Sequence, residues 1–505
     1  MAPGLLCYEA FHLGRKAIGP SRCQENRLGQ SRLIRPEYSE NFRCIGSACE
    51  DTCCQGWGIP VDRAAYEKYR NLPASPLRTL IQINCLIAPA GAICRDGSGQ
   101  VVPGPAAFAK IRMTASNQCP MLSKDGLCRI QTEWGETFLP NVCASYPRIA
   151  HTIDGIEEKA RALSCTEAAR LVLLNPGLFT SHQSVASLRG PTDAPYQQLF
   201  YKETFSKETF SKQPRGSDTA GQGGSLRSNF WNMFWNMFWP IRECVIALVR
   251  NRSYPLWQRL FLLGILCRRL DSIGENELEL PVLAFLRDFE GSIANGSLRT
   301  AMEAMETLPA DCALQLDVVL RLAGMLDFKA QPRFVECIEA FKAGIRSGTG
   351  ATLESLTAHY AQAHDQFYAP FFDRHPYILE NYLINTIVRC QFPLRGGMQS
   401  DATPSMAREY AVLTAQFALM KGLLIGVAGC HREAFSADHV VHTVQGASRH
   451  FEHHPDFLNQ AYALLVESRM DGARGLAILL RNTEAAASRA ASGDACAPLA
   501  QAKAS

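Results

Sequence analysis

The stretch Val412-Leu413-Thr414-Ala415-Gln416-Phe417-Ala418-Leu419-Met420-Lys421-Gly422-Leu423-Leu424-Ile425-Gly426-Val427-Ala428-Gly429-Cys430 is the longest apolar run of the chain, and its reading decides the fold. Leu413, Phe417, Met420 and Leu424 recur at helical spacing. Gln416 and Lys421 interrupt the run, and a charge near the middle of a membrane-spanning segment is costly. The run therefore reads as the buried helix of a soluble, cytoplasmic protein with no membrane partner. Gly422, Gly426 and Gly429 are expected to let a neighbouring helix approach. No strand followed by a Gly-x-Gly turn marks a nucleotide-binding fold, so the sequence does not place a cofactor pocket.

Working outward, residues 229–484 read as a helical domain. Trp257, Leu260, Phe261, Leu263 and Leu270 share one helix face, as do Leu379, Tyr382, Leu383 and Ile387 after Pro376, while alternating strand patterns are scarce. The expected class is mainly α, with a cysteine-rich unit over residues 31–182 joined by a polar linker, 183–228. Residues 1–30 and 485–505 read as disordered extensions. Within 31–182, helices are expected over Val61–Arg70 and from Thr166 to Leu174. The linker carries a tandem Lys-Glu-Thr-Phe-Ser at 202–211, too short for a solenoid. Phe230 to Trp239 repeats an aromatic unit that reads as a helix entry packed on the core. At 505 residues and 47% hydrophobic the chain can bury one large core or two ordinary ones. Its 51 Lys and Arg against 48 Asp and Glu give no global field to attract nucleic acid.

The second informative stretch is Cys44-Ile45-Gly46-Ser47-Ala48-Cys49-Glu50-Asp51-Thr52-Cys53-Cys54, answered by Cys119, Cys128, Cys143 and Cys165. Thiols at such spacing fold around a soft metal or an iron–sulfur cluster, and the distant cysteines close the shell. Disulfides suit a small secreted chain and inert packing suits scattered cysteines, so metal is favoured over both. Zinc and iron–sulfur stay open, since the pattern is neither a zinc ribbon nor a ferredoxin run, and eight thiols exceed one site. The C-terminal histidines, His431, His439, His442, His450, His453 and His454, read as surface or core residues rather than a second metal site.

Several blocks resemble the flagellin lysine-N-methylase family. They are Phe42-Arg43-Cys44-Ile45-Gly46 and Cys49 to Trp57, Cys119-Pro120-Met121-Leu122, Leu127 to Gln131, Cys143-Ala144-Ser145-Tyr146-Pro147-Arg148, and Leu163 to Leu171. Further blocks are Asn251 to Leu260, Leu379 to Asn385, and Leu424 to Ala428. The first thirty residues and the duplications in 201–239 have no counterpart there. The resemblance implies methyl transfer from S-adenosylmethionine to lysine ε-amines of flagellin, with the cysteines holding an iron–sulfur cluster or zinc.

That chemistry requires a neutral amine aligned with a methyl sulfonium and a surround that tolerates the cation. Glu380, Asn381, Tyr382 and Asn385 form a polar group in an apolar helix, making Glu380 and Tyr382 the candidate catalytic pair. Tyr146 and Arg148, beside Cys143, are candidates to meet a cofactor carboxylate, or to brace the metal loop. The alternative function is a metal-holding interaction protein without catalysis.

Overall fold

The computed structural model describes residues 32–33, 42–56, 58–87, 94–95, 101–102, 108–153, 156–178, 183–184, 237–273, 279–306, 310–326, 331–393, 405–453 and 456–481. The expected terminal extensions, most of the linker and the aromatic repeat up to Asn236 lie outside the described residues.

The described chain builds two apolar cores. The smaller one is formed by strand β1 (Ile59–Val61), helices α1 (Arg63–Arg70) and α2 (Pro76–Asn84), strands β2 (Cys85–Ile87) and β3 (Ala109–Ile111), and the short helices α3 (Arg129–Trp134) and α4 (Asn141–Ser145). The antiparallel sheet has β3 in the middle, with Ile111 opposite both Ile59 and Cys85. Asp62 caps α1 by accepting from Ala65 N–H at 2.9 Å, and its other oxygen accepts from Asn141 N–H at 2.9 Å. One carboxylate thus starts α1 and fixes α4 against it. Ser75 caps α2, whose Pro76 is pre-set for a helix start. The expected helix over Val61–Arg70 therefore begins two residues later, because Val61 ends a strand.

A hairpin, β4 (Arg148–Ile153) and β5 (Ile156–Arg161), and helix α5 (Thr166–Leu173) follow. Their apolar residues Ile153, Ala160, Ala169, Val172 and Leu173 belong to the larger core. The 31–182 stretch is thus shared between the two cores. The hairpin was not legible as strands, and Asn385 pins it by bonding both N–H and C=O of Arg161 at 3.1 and 2.9 Å.

The larger core is helical, as expected: α6 (Phe238–Arg250), α7 (Leu256–Asp271), α8 (Glu279–Ala294), α9 (Arg299–Glu306), α10 (Cys312–Gly324), α11 (Pro332–Gly344), α12 (Leu353–Ala363), a π-helical turn (His364–Tyr368), α13 (Ala369–Arg374), α14 (Tyr377–Arg389), α15 (Met406–His431), α16 (Ala437–His453), α17 (Phe457–Glu467) and α18 (Ala473–Leu480). Phe238 and Trp239 are buried at the start of α6, so the end of the aromatic repeat packs on the core.

Helix α15 is the axis. Among the described residues it is the helix long and apolar enough to cross a membrane, and its apolar window is wholly buried inside the protein. Ser405 caps it, and the Asp271 carboxylate at the end of α7 accepts from Ser405 Oγ, Met406 N and Ala407 N at 2.7–2.9 Å. The glycines act as expected. A Cβ on Gly426 would sit 2.4 Å from the Phe341 ring and 2.8 Å from Phe341 O, and one on Gly344 would sit 1.7 Å from Gly426 O. Helices α11 and α15 touch backbone to backbone there, which any side chain would forbid. Lys421, buried in the middle of α15, turns its amine onto the last carbonyls of α18, Leu480 O at 3.0 Å and Arg481 O at 2.8 Å.

Candidate functional site

Three short segments carry the clustered thiols. The loop at Cys53 and Cys54 is zipped to the 117–119 segment by Gly56 N–H to Asn117 O at 3.0 Å and Cys119 N–H to Cys54 O at 2.7 Å. From Cys119 the chain turns back at Ser123–Gly126, where Gly126 takes φ +76°, and returns to pair Leu122 with Cys128. Helix α4 then presents Cys143. Cys54 hydrogen-bonds with Cys53 and Cys128, and the Cys143 thiol lies within electrostatic reach of Cys53, Cys128 and Cys119.

This crowding splits the thiols. The Cys54 hydrogen bond lowers Cys128 to about 6 against its burial, helped by the N–H groups of Gln131 and Ile130 at the start of α3. Cys53 is also lowered, first by Cys54 and, after the opposing effect of burial, by the Arg449 guanidinium. Cys54 is driven far up, mainly by its hydrogen bonds to Cys128 and Cys53, while burial raises Cys119 to about 11 and Cys165 to about 12 and pushes Cys143 well above its ordinary value. Cys49, raised by burial, faces Thr166 and neighbours Cys165, whereas Cys44 is exposed, its Sγ accepting Gly46 N–H at 3.4 Å. Of the eight candidate thiols, five gather, two flank them and Cys44 stands on the outer loop. The donor set suits a soft metal. Among the described residues, however, no group of three or more His, Cys, Asp or Glu side chains is placed to hold one.

The thiol loop is clamped by the helical core. On α16, Gln445, Arg449 and Glu452 fall at positions i, i+4 and i+7 of one face. Gln445 Nε2 donates to Asp51 Oδ2 at 2.7 Å and to Ser164 O at 3.0 Å. Arg449 pairs with Asp51 at 3.0 Å and donates to Thr52 O. The Glu452 carboxylate accepts from Leu163 and Ser164 N–H at 3.0 and 3.1 Å, with Arg389 at 3.4 Å. Arg170 on α5 pairs with Glu50. Gln445 and Arg449 were missed in the sequence because they lie nearly 400 positions from the loop; the acidic Glu50-Asp51 inside the cysteine run was the signal available.

The remaining candidates fall on this frame. The Tyr146 hydroxyl meets Ser164 Oγ at 3.0 Å, and Arg148 lies over the Phe42 ring, donating to Phe42 O at 3.5 Å. As they stand both side chains brace the junction. Glu380 is buried and committed: Arg252 donates to its two oxygens at 2.7–3.0 Å and Arg259 to Oε1 at 2.8 Å. This holds α14 to the α6–α7 corner and gives a role in deprotonating lysine no geometric support. Tyr382 is 1% exposed, its hydroxyl pushed up by burial. His431 and His439 stack at 3.8 Å, but His439 Nδ1 accepts from Ser436 N–H, so the neutral ring carries its proton on Nε2, the nitrogen a metal would need.

The described residues thus show a mainly helical protein in which one face of α16 holds the loop that bears Cys53 and Cys54. Residues 242–479 match the FliB lysine N-methylase C-terminal domain. A segment of 145 residues, 28% of this chain, is 30% identical to the flagellar biosynthetic protein FliU of Salmonella muenchen and covers 78% of it. The same extent and identity hold for the lysine-N-methylases of Salmonella choleraesuis and Salmonella typhimurium, where the match spans 33% of each protein, about a third of its length. No solved structure matches. The chain belongs to the flagellin lysine-N-methylase family.

Proposed function

We propose that this protein is a cytoplasmic lysine N-methyltransferase that moves methyl groups from S-adenosylmethionine to lysine side chains of flagellin. The observation that carries this reading is the match of the helical core, residues 242–479, to the FliB lysine N-methylase C-terminal domain. The flagellar name of the FliU relative supports the substrate. The reaction is a displacement: a neutral lysine nitrogen forms the N–CH3 bond as the S–CH3 bond breaks, and the sulfonium leaves as a neutral thioether. A soft metal, an iron–sulfur cluster or zinc, is part of the proposal, with Cys53, Cys54, Cys119, Cys128 and Cys143 as its nearest donors. Their convergence from three segments supports it, and loading requires them to draw closer than they stand. No step of the transfer is routed through it.

Purified protein, flagellin and S-adenosylmethionine labelled on the methyl should yield methyl-lysine by mass spectrometry. Absence of label on flagellin with a folded, metal-replete protein would overturn the activity and favour the non-catalytic reading.

A further inference from the structure

The helical core sets one buried cation against the loop that carries the thiols. Arg449 on α16 is 8% exposed. Its Nη2 reaches Asp51 Oδ2 at 3.0 Å and donates to Thr52 O, and its Nη1 stands 3.9 Å from where a Cβ on Gly56 would be. Asp51 Oδ1 accepts from Thr52 N–H at 2.8 Å and Thr52 Oγ1 from Cys54 N–H at 3.2 Å, so the guanidinium is fixed to the turn that leads into Cys53 and Cys54. Its charge reaches the Cys53 thiol and the Tyr146 hydroxyl. The neighbouring guanidiniums are more exposed and each is held by carboxylates, Arg170 by Glu50 and Glu167 and Arg129 by Glu133.

Between Cys44 and Cys54 the charged side chains are Glu50 and Asp51, both acidic. Metal ligation needs thiolates rather than thiols, and several thiolates around one divalent ion carry more negative charge than the ion offsets. Gathering that charge beside two carboxylates, away from water, is costly unless a cation shares it. Arg170 answers Glu50 from the exposed side. Arg449 answers Asp51 from the buried side, where salt and solvent screen least. We propose that Arg449 is the counter-charge of the metal-loaded thiol site, with Asp51 as the carboxylate that competes with the thiolates for it. This rests on the metal reading. In the metal-free protein the Arg449–Asp51 pair is balanced; in the loaded one the same guanidinium faces a further surplus of negative charge. Metal affinity therefore depends on both residues, with opposite sign. A clamp that acted only by holding the loop in place would give both the same sign, since either change breaks the 3.0 Å pair.

Zinc binding to the full chain, purified anaerobically and stripped of metal, tests this by competition with a chromophoric chelator. Arg449→Gln should weaken zinc binding about tenfold or more, the scale of a lost partner behind a metal's ligands. Asp51→Asn, which keeps the shape and removes the competing charge, should tighten it by a similar factor. If Arg449→Gln does not fold, Asp51→Asn decides. A wild-type chain that binds zinc while both variants shift its affinity the same way, or neither shifts it, overturns the counter-charge and leaves the metal site standing. A wild-type chain that takes up neither zinc nor, with sulfide, iron overturns both.

Discussion

Lys421→Met should change the pH dependence of stability. The wild-type amine is 2% exposed, and burial lowers it to about 7 from an ordinary value of 10.5. A neutral amine has two N–H groups, and two carbonyls, Leu480 O and Arg481 O, receive them. Between pH 7 and 10.5 the unfolded chain binds the proton that the folded chain has shed, so stability rises with pH across that window. It is lost as pH falls toward 7 and is flat below. With a folded value near 7, the interval from pH 7 to 8.5 is worth roughly 1.6 kcal/mol. The Met variant has no such slope. It also leaves Leu480 O without its donor, whereas Arg481 O keeps Gln315 Nε2, so at pH 8.5 it should be less stable by about 1–3 kcal/mol. His364, which faces Lys421, is itself lowered by burial and titrates beneath the window, and the thiols and phenols raised by burial act alike in both proteins. Urea unfolding followed by circular dichroism at pH 7.0, 7.75 and 8.5 measures the gap between the two proteins. A gap that does not widen with pH would refute the buried neutral lysine.

Glu380→Gln leaves the buried Arg259 facing a neutral amide and should cost roughly 3 kcal/mol, with methyl transfer falling only as far as the folded fraction does; lost turnover at an unchanged melting temperature would restore Glu380 to catalysis. Gly426→Ala should destabilise by about 1–3 kcal/mol or more because its Cβ meets the Phe341 backbone, whereas Gly324→Ala, in open space on α10, should gain up to about 1 kcal/mol; equal melting temperatures for the two variants would contradict the close contact. After anaerobic purification, Cys54→Ser and Cys128→Ser should each reduce bound iron or zinc, read by elemental analysis, while Cys44→Ser should retain most of it; full metal content in all three would exclude the gathered thiols as ligands.

The helices were legible because their apolar residues recur at the helical period over long windows, and Thr166 to Leu174 and the α15 run stand where that period put them. The β4–β5 hairpin was not legible. Its strands mix Arg148, His151, Glu158 and Arg161 among apolar residues, and the hairpin is held by distant partners that no local pattern encodes, Arg389 O for the His151 ring and Asn385 for the Arg161 backbone. The thiols announced themselves by spacing, and the structure gathers five of the eight. The Glu380 neighbourhood was legible only in part: a polar residue in an apolar helix signals a buried interaction, and the structure supplies Arg252 and Arg259 as its partners, which the sequence does not name.

The clamp on the thiol loop also has a consequence in time. Asp51 and Thr52 wait for Gln445 and Arg449, separated from them by 394 and 397 positions. At ribosomal speeds of about 5–20 residues per second, the cysteine run precedes its clamp by roughly 20–80 s. During synthesis the loop therefore meets metal donors and oxidants before the helix that closes it exists. Nascent chains arrested ahead of Gln445 should alkylate at Cys49 and at the buried Cys54 faster than the finished protein, and equal rates would place the closure earlier, among the thiol segments themselves.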